Sequence, residues 1–335
     1  MKQIAVLGTG GWGTAIAHLA NLAGNSVRLW GRDPDYITTI QTTRENSRAL
    51  PGFRIPESIE ITADPKRAVE GADLVFVVIP TQFLRRTLAP FKLLLPPSTP
   101  VVSGVKGLEI GSLLKPSEII CDILGQRKWG VFSGPSHAEE IVRGLPASLT
   151  MASSDEILAK NVSDAMSSAS LRVYTDTDAL GVELSGALKN VMAIAAGVCD
   201  GLRLGDNAKA ALVTRALAEM TRYGQRHGAQ LVTFYGLAGV GDLITTCYSS
   251  HGRNRAVGEK LAKGAALSQI LASTTQVAEG VWTVKALKEA RPKNEDPAVF
   301  TSELPICAEV YRILFENKPP RNSVIDLMTR PKRES

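Results

Sequence analysis

Closely spaced cysteines are missing from this chain. Cys121, Cys199, Cys247 and Cys307 stand far apart, with no C-x-x-C spacing and no histidine near any of them but His251, four residues after Cys247. That pattern argues against a disulfide framework and against the common zinc-ligand spacings, and the thiols read as reduced and mostly buried. His18, His137, His227 and His251 are equally scattered, so no metal site is expected. Aromatic residues are only 5% of the chain, too few for the stacking surface that single-stranded nucleic acid requires. An excess of one charge is lacking too. The net charge of +5 is mild and its basic residues are dispersed apart from a short run near Arg330 to Arg333, which suits anionic small ligands and not a nucleic-acid footprint. The N-terminus has no charged-then-apolar signal pattern and no apolar run is expected to approach membrane-spanning length, so a cytoplasmic protein without integral membrane association is the expectation.

What is present begins at once. Residues 4–13 read Ile-Ala-Val-Leu-Gly-Thr-Gly-Gly-Trp-Gly, an apolar strand running into Gly8-x-Gly10-x-x-Gly13 and then an Ala-rich helix. In that order the first glycine permits a tight turn, the second lets a pyrophosphate approach the backbone, and the third lets the helix pack against the sheet with its N-terminus toward the anion. The reading is a dinucleotide site, with Gly11 and Trp12 inside the turn. The second strand of such a unit normally ends in Asp or Glu, which meets the adenosine ribose. Here it ends at Arg32, whose planar fork suits a 2′-phosphate, so NADPH is preferred over NADH on this corner. The other reading leaves Arg32 solvated and gives the ribose contact to Asp33.

At 335 residues the chain is long enough for two domains. Apolar runs at residues 4–7, 26–30, 74–79, 100–103, 130–133, 147–151 and 172–174 alternate with amphipathic stretches, which predicts a largely parallel sheet covered by helices on both faces. Beyond Asp178 strand signals vanish. Helical periodicity takes over at residues 179–199, 207–227, 252–263, 280–289 and 303–315, with a charged, Pro-containing surface loop expected at 291–296. The fold class is therefore an α/β doubly wound, Rossmann-like domain over residues 1–178 followed by an all-α domain over 179–335. A helix cap from the Thr-Asp pairs at residues 175–178 marks the hinge.

The other strand ends are polar and glycine-rich: the strand at 74–79 is stopped by Pro80, Lys106 stands between Gly104 and Gly107, and Ser133-Gly134-Pro135-Ser136-His137-Ala138 follows the next strand. Ligands of doubly wound sheets bind outside such strand ends. Lys189 lies in a stretch that is apolar almost all round, so its helix is expected to be buried, and small Ser185 and Gly186 one turn away leave room beside the ammonium. A buried lysine is desolvated and suited to proton transfer unless it snorkels to the surface. Asp242, after Gly239-Val-Gly241, either caps a helix, orients Lys189 or accepts a substrate hydroxyl. Gly252-Arg253-Asn254-Arg255 reads as a phosphate clamp at a helix start, and Val277-Ala278-Glu279 offers a carboxylate to the cofactor.

Taken together, Gly8-x-Gly10-x-Trp12-Gly13, Ser103-Gly-Val-Lys106-Gly107, Ser133-Gly-Pro-Ser136, Glu183-Leu-x-Gly-Ala-Leu-Lys189-Asn190, Gly239-x-Gly241-Asp242, Arg253-Asn254-Arg255 and Val277-x-Glu279-Gly280 resemble bacterial-type NAD(P)-dependent glycerol-3-phosphate dehydrogenase over nearly the whole chain. The resemblance implies a helical second domain of the 6-phosphogluconate-dehydrogenase-like kind and reversible reduction of dihydroxyacetone phosphate to sn-glycerol 3-phosphate for phospholipid synthesis. It implies that Lys189 is the catalytic proton donor and acceptor. Lys106, Gly134, Ser136, Asp242, Gly252, Arg253 and Asn254 would contact substrate. Gly8, Gly10, Gly11, Trp12, Gly13, Arg32, Lys106, Ala138, Arg253, Val277 and Glu279 would contact NADPH or NADH. A homodimer is expected because helical second domains of this sort commonly pair.

Two positions depart from the family pattern. Many members carry Ser before the Arg-Asn pair where this chain has Gly252, so a hydroxyl contact is lost or passes to the backbone N–H. Many carry Phe where this chain has His137, which is expected to fill an aromatic-sized pocket and not to act as an acid. A related two-domain hydroxy-acid dehydrogenase and a non-catalytic NADP(H)-binding regulator are the alternative functions; a phosphate requirement excludes the first and turnover excludes the second.

Overall fold

Short β-branched and apolar runs build one eight-stranded sheet. In a computed structural model that describes residues 1–274, 277–290 and 297–330, the strands are β1 (Gln3–Leu7), β2 (Ser26–Trp30), β3 (Ile59–Thr62), β4 (Leu74–Val77), β5 (Val101–Ser103), β6 (Trp129–Ser133), β7 (Ala147–Ala152) and β8 (Leu171–Asp176). They lie in the order β3-β2-β1-β4-β5-β6-β7-β8. Every neighbouring pair is parallel except β6 with β7. Winding runs outward in both directions from β1 and β4, so the carboxyl ends of those two strands form the switch point where a ligand of such a sheet is received. Strand β3 joins the seven that the apolar runs predict. Its Ile-Glu-Ile-Thr alternation and edge position make it the weakest sequence signal of the set.

The helices are α1 (Gly11–Leu22), α2 (Pro34–Thr43), α3 (Pro65–Val69), α4 (Leu84–Leu88), α5 (Pro116–Leu124), α6 (Ala138–Ile141), α7 (Glu156–Met166), α8 (Ala179–Gly201), α9 (Asp206–Arg226), α10 (Leu231–Tyr235), α11 (Asp242–Tyr248), α12 (Arg253–Ala262), α13 (Leu267–Ala272), α14 (Glu279–Glu289), α15 (Pro297–Glu303), α16 (Pro305–Phe315) and α17 (Pro320–Thr329). Side chains alternate across each strand, so Ile4 and Val6 enter a core with α1, α2, α6 and α7, while Ala5 and Leu7 enter another with α3, α4 and α5. Both faces of the sheet are thereby covered, as a parallel sheet requires. The surface loop expected at residues 291–296 lies outside the described residues.

The chain divides into two compact units. One comprises Met1–Lys106 and Leu114–Glu183, the other Gly107–Leu113 and Leu184–Ser335, so the division falls inside α8 and the short segment after Lys106 belongs with the helices. At the start of α8 the Asp178 carboxylate accepts the Gly181 N–H at 2.9 Å, the cap that the Thr-Asp pairs foretell. Contrary to the expectation about apolar runs, α8 with its 23 residues is long and apolar enough to cross a membrane. Its window is buried throughout by the fold, and it carries Glu183, Lys189 and Asn190, which marks it as a core helix.

Glycines bring other helices onto α8. A Cβ on Gly258 of α12 would stand 1.9 Å from the Ile194 carbonyl oxygen, one on Gly197 of α8 would stand 1.9 Å from the Arg255 carbonyl, and one on Gly280 of α14 would stand 2.4 Å from the Asn190 carbonyl. Backbone therefore meets backbone at three places around the Lys189 helix. No side chain larger than hydrogen fits there.

Two buried carboxyls cap helices across long sequence separations. Glu183 accepts the Ser117 N–H at 2.9 Å at the start of α5, and Glu219 accepts the Ile306 and Cys307 N–H groups at 2.9 and 3.0 Å at the start of α16. Burial pushes each carboxyl up from 4.5 to about 7, against the hydrogen bonds that pull the other way. A raised carboxyl favours the protonated folded form, so its stabilisation is full below about pH 4.5 and is lost as pH rises through about 7. Each contributes on the order of 3 kcal/mol across that window. Thermal unfolding midpoints at pH 5 and pH 8 should therefore fall with rising pH, and Glu219→Gln, which cannot titrate, should flatten part of that slope. An unchanged slope in the variant would remove Glu219 from this linkage.

Candidate active site

In the first unit the predicted residues gather at the carboxyl ends of β1, β2, β5 and β6. Gly8 has φ +126°, open only to glycine, and its backbone packs on Val78. A Cβ on Gly13 would stand 1.9 Å from the Gly8 carbonyl oxygen, whereas one on Gly10 would meet nothing within 4 Å. Gly10 is also the N-cap of α1 and provides no side-chain cap. The N-terminus of α1, which includes Gly11 and Trp12, thus opens onto free space beside Gly10, a cradle that fits a dinucleotide pyrophosphate. Trp12 stacks parallel on Phe132 with ring centroids 6.2 Å apart, and its Nε1 is buried next to Gly104 without a partner among the described residues.

Arg32 is exposed at the end of β2. Asp33, the other reading of that corner, is engaged: its Oδ1 accepts the Tyr36 N–H at 3.2 Å to cap α2, and its Oδ2 lies 3.3 Å from Arg48 Nη1. Beyond β5, the Lys106 ammonium donates to the Gly134 carbonyl at 3.1 Å and to Ser136 Oγ at 3.3 Å, joining three predicted residues from two strand ends. Gly134 has φ +134°, so glycine is required where the turn delivers that carbonyl. Ala138 is buried at the first position of α6, and His137, half-buried, is its N-cap, with its backbone carbonyl accepting the Ile141 N–H at 3.1 Å.

In the second unit Lys189 does not reach the surface. It is 6% exposed, and its Nζ donates to Asp242 Oδ1 at 2.8 Å and to Thr246 Oγ1 at 2.5 Å. Thr246 in turn donates to Asp242 at 3.2 Å, which closes a triangle of one ammonium, one carboxylate and one hydroxyl. Asp242 stands at the first position of α11, after the N-cap Gly241, and its carboxylate meets the Lys189 ammonium. Thr246 escapes sequence reasoning, although its i+4 spacing from Asp242 puts both on one helix face. One turn before Lys189, the Ser185 hydroxyl is fully buried and has no hydrogen-bond partner among the described residues.

The segment read as a phosphate clamp is resolved differently. Arg253 stands exposed at the first turn of α12, but Arg255 is turned inward to Asp200 and Glu259 and donates to the Ser249 carbonyl at 2.9 Å. Only one of the two arginines is presented. Asn254 is buried, its Nδ2 donating to Asn190 Oδ1 and its Oδ1 accepting the Gly280 N–H, both at 3.0 Å, so it also ties α12 to α8 and α14. The Gly252 N–H donates to the Ser249 carbonyl at 3.2 Å. A Cβ there would stand 3.0 Å from the Thr246 carbonyl, which leaves little room for a larger residue. Val277 and Glu279, both half-buried, lie at the entrance of α14.

A doubly wound sheet with an open glycine cradle at its switch point, followed by a helical unit with a buried lysine held by a carboxylate and a hydroxyl, defines a nicotinamide-dinucleotide-dependent dehydrogenase. The family model for the N-terminus of NAD-dependent glycerol-3-phosphate dehydrogenase matches residues 3–159, and that for its C-terminus matches residues 178–325. The chain belongs to this NAD-dependent glycerol-3-phosphate dehydrogenase family. A glycerol-3-phosphate dehydrogenase [NAD(P)+] of Chlorobium phaeobacteroides is 43% identical, covering 99% of both chains, and one of Geobacter sp. strain M21 is 42% identical, covering 98% of this chain and 97% of the relative. The crystal structure of glycerol-3-phosphate dehydrogenase from Coxiella burnetii superposes with a TM-score of 0.91 at 36% identity, covering 98% of this chain and 99% of that one.

Proposed function

We propose a division of roles among these residues for the reaction of the family, the reversible reduction of dihydroxyacetone phosphate to sn-glycerol 3-phosphate with NADPH or NADH. The buried Lys189 ammonium, fixed at 2.8 Å from Asp242 and 2.5 Å from Thr246, is the observation that carries the assignment. Lys189 gives its proton to the substrate oxygen in reduction and takes it back in oxidation, and its charge stabilises the oxygen as negative charge grows there. The dinucleotide, when bound, supplies the hydride. Asp242 and Thr246 hold the Lys189 Nζ in one position through the exchange, which removes the entropy of a long flexible side chain from the barrier.

The first unit binds the dinucleotide. Gly8, Gly10, Gly11, Trp12 and Gly13 take the pyrophosphate and its neighbours, and Ala138 lines the cofactor. Arg32 pairs with the adenosine 2′-phosphate, a role supported by its exposed position and by the prior engagement of Asp33, so NADPH is preferred. Lys106 serves both cofactor and substrate, and Gly134 and Ser136 serve substrate. In the second unit Arg253 takes the substrate phosphate and reaches the cofactor, Asn254 offers its second Nδ2 hydrogen, Gly252 contacts substrate, and Val277 and Glu279 line the cofactor. The enzyme acts as a cytoplasmic homodimer whose product feeds glycerophospholipid synthesis.

Steady-state oxidation of NADPH and of NADH should proceed with dihydroxyacetone phosphate and fall at least about a hundredfold in kcat/KM with unphosphorylated dihydroxyacetone, because the phosphate contacts orient the carbonyl. Equal use of both ketones would remove the phosphate role from Arg253. Dinucleotide binding without turnover would overturn the assignment of Lys189.

A further inference from the structure

We infer that Arg48 is a second specificity-determining residue for the adenosine 2′-phosphate, acting beside Arg32. This inference rests on the NADPH preference proposed above and names how the corner achieves it. Arg48 lies on the segment that links α2 to β3, and that segment is fastened to the glycine turn. The buried Asn46 side chain donates to the Thr9 carbonyl at 2.7 Å and to Thr14 Oγ1 at 2.9 Å, while its Oδ1 accepts the Tyr36 hydroxyl at 2.7 Å. The Tyr36 oxygen accepts the Arg48 backbone N–H at 2.9 Å. Arg48 is therefore held by its backbone over the corner where β2 ends, two residues from a side chain bonded to Thr9 between Gly8 and Gly10.

Its side chain is preorganised there and still presented to solvent. The guanidinium lies 3.9 Å above the Tyr36 ring centroid, and one Nη1 meets Asp33 Oδ2 at 3.3 Å, with 59% of the side chain exposed. A guanidinium carries five N–H donors, so one carboxylate contact leaves a fork for a phosphate. The Asp33 contact matters as much as the fork. A carboxylate adjacent to Arg32 would repel a 2′-phosphate, and its pairing with Arg48 offsets that repulsion. Removing the Arg48 side chain thus takes away a donor and exposes an opposing charge at once.

The test is calorimetric titration of the full-length chain with 2′,5′-ADP and with 5′-AMP, which differ by the 2′-phosphate, alongside kcat/KM for NADPH and NADH. Arg48→Ala should weaken 2′,5′-ADP about tenfold, move 5′-AMP by less than about twofold, and lower the NADPH-to-NADH ratio of kcat/KM by a similar factor of about ten. Arg48→Lys, which keeps charge without the planar fork, should recover part of the loss. Because the backbone and not the side chain fastens the segment, the thermal midpoint should hold. Equal weakening of both nucleotides, or of neither, overturns the role of Arg48. Arg32→Ala run in parallel separates the two claims: loss of 2′-phosphate discrimination in Arg32→Ala alone removes Arg48 and keeps the NADPH reading, whereas a wild-type chain that does not distinguish the nucleotides overturns both.

Discussion

Lys189→Ala is expected to lower kcat by about a thousandfold, in the middle of the range for loss of a positioned general acid, while the dissociation constant for the dinucleotide stays within roughly twofold. The two readouts separate because Lys189 and the glycine cradle belong to different units of the chain. The substitution also takes the Lys189 cation away from Asp242, 2% exposed, and removing one member of a buried ion pair destabilises a fold by about 3–5 kcal/mol. Thr246 softens that loss because it still donates to Asp242 at 3.2 Å. Asp242→Asn is the companion variant. It keeps the shape and an acceptor but removes the charge, and it should reduce kcat less than Lys189→Ala, since the ammonium itself is still present. A Lys189→Ala protein that has lost dinucleotide binding along with turnover would assign Lys189 a structural role.

Residues whose partners are near in sequence, or whose pattern carries its own geometry, were legible before the structure. The apolar runs gave seven strands, the 3.6 period gave α8, α9, α12, α14 and α16, and Asp178 capped α8 where the Thr-Asp pairs stand. Shorter elements were not. Helices α10 and α13, of 5 and 6 residues, offer too few turns for a periodic signal. The site divides in the same way. Lys189 stands out because a lysine in an apolar helix needs an explanation, and Asp242 because it follows a glycine-rich turn. Arg255 misleads, since nothing local reveals that Asp200, 55 residues earlier, takes it inward. Asn46 and Arg48 are silent for the same reason: their meaning comes from Thr9, Asp33 and Tyr36, which only the fold brings beside them. A glycine inside a helix ordinarily weakens it, and the close approach of backbones around α8 is what calls for one at Gly197, Gly258 and Gly280.

Gly10→Ala and Gly13→Ala should separate binding from folding within one turn of chain. At Gly13 a Cβ would stand 1.9 Å from the Gly8 carbonyl oxygen, a contact with backbone that no rotamer can relieve. Helix α1 must then shift off β1, and α1 supplies Ala15, Ile16, Leu19 and Ala20 to a sheet-face core. Overpacking of that kind destabilises by about 1–3 kcal/mol, so the thermal midpoint should fall by several degrees and dinucleotide affinity with it. Gly10 is the opposite case. Its φ of −69° suits any residue and a Cβ there meets nothing of the protein within 4 Å, so Gly10→Ala should fold with an unchanged midpoint. The added methyl would stand in the space where a pyrophosphate approaches the N-terminus of α1, and dinucleotide affinity should fall by at least about tenfold, the equivalent of one charge-assisted hydrogen bond. Differential scanning fluorimetry and calorimetric titration of the two variants check this directly. Unchanged affinity in Gly10→Ala would mean that the open side of the turn is not where the dinucleotide lies, and would move the cofactor away from the cradle on which the whole assignment of the first unit depends.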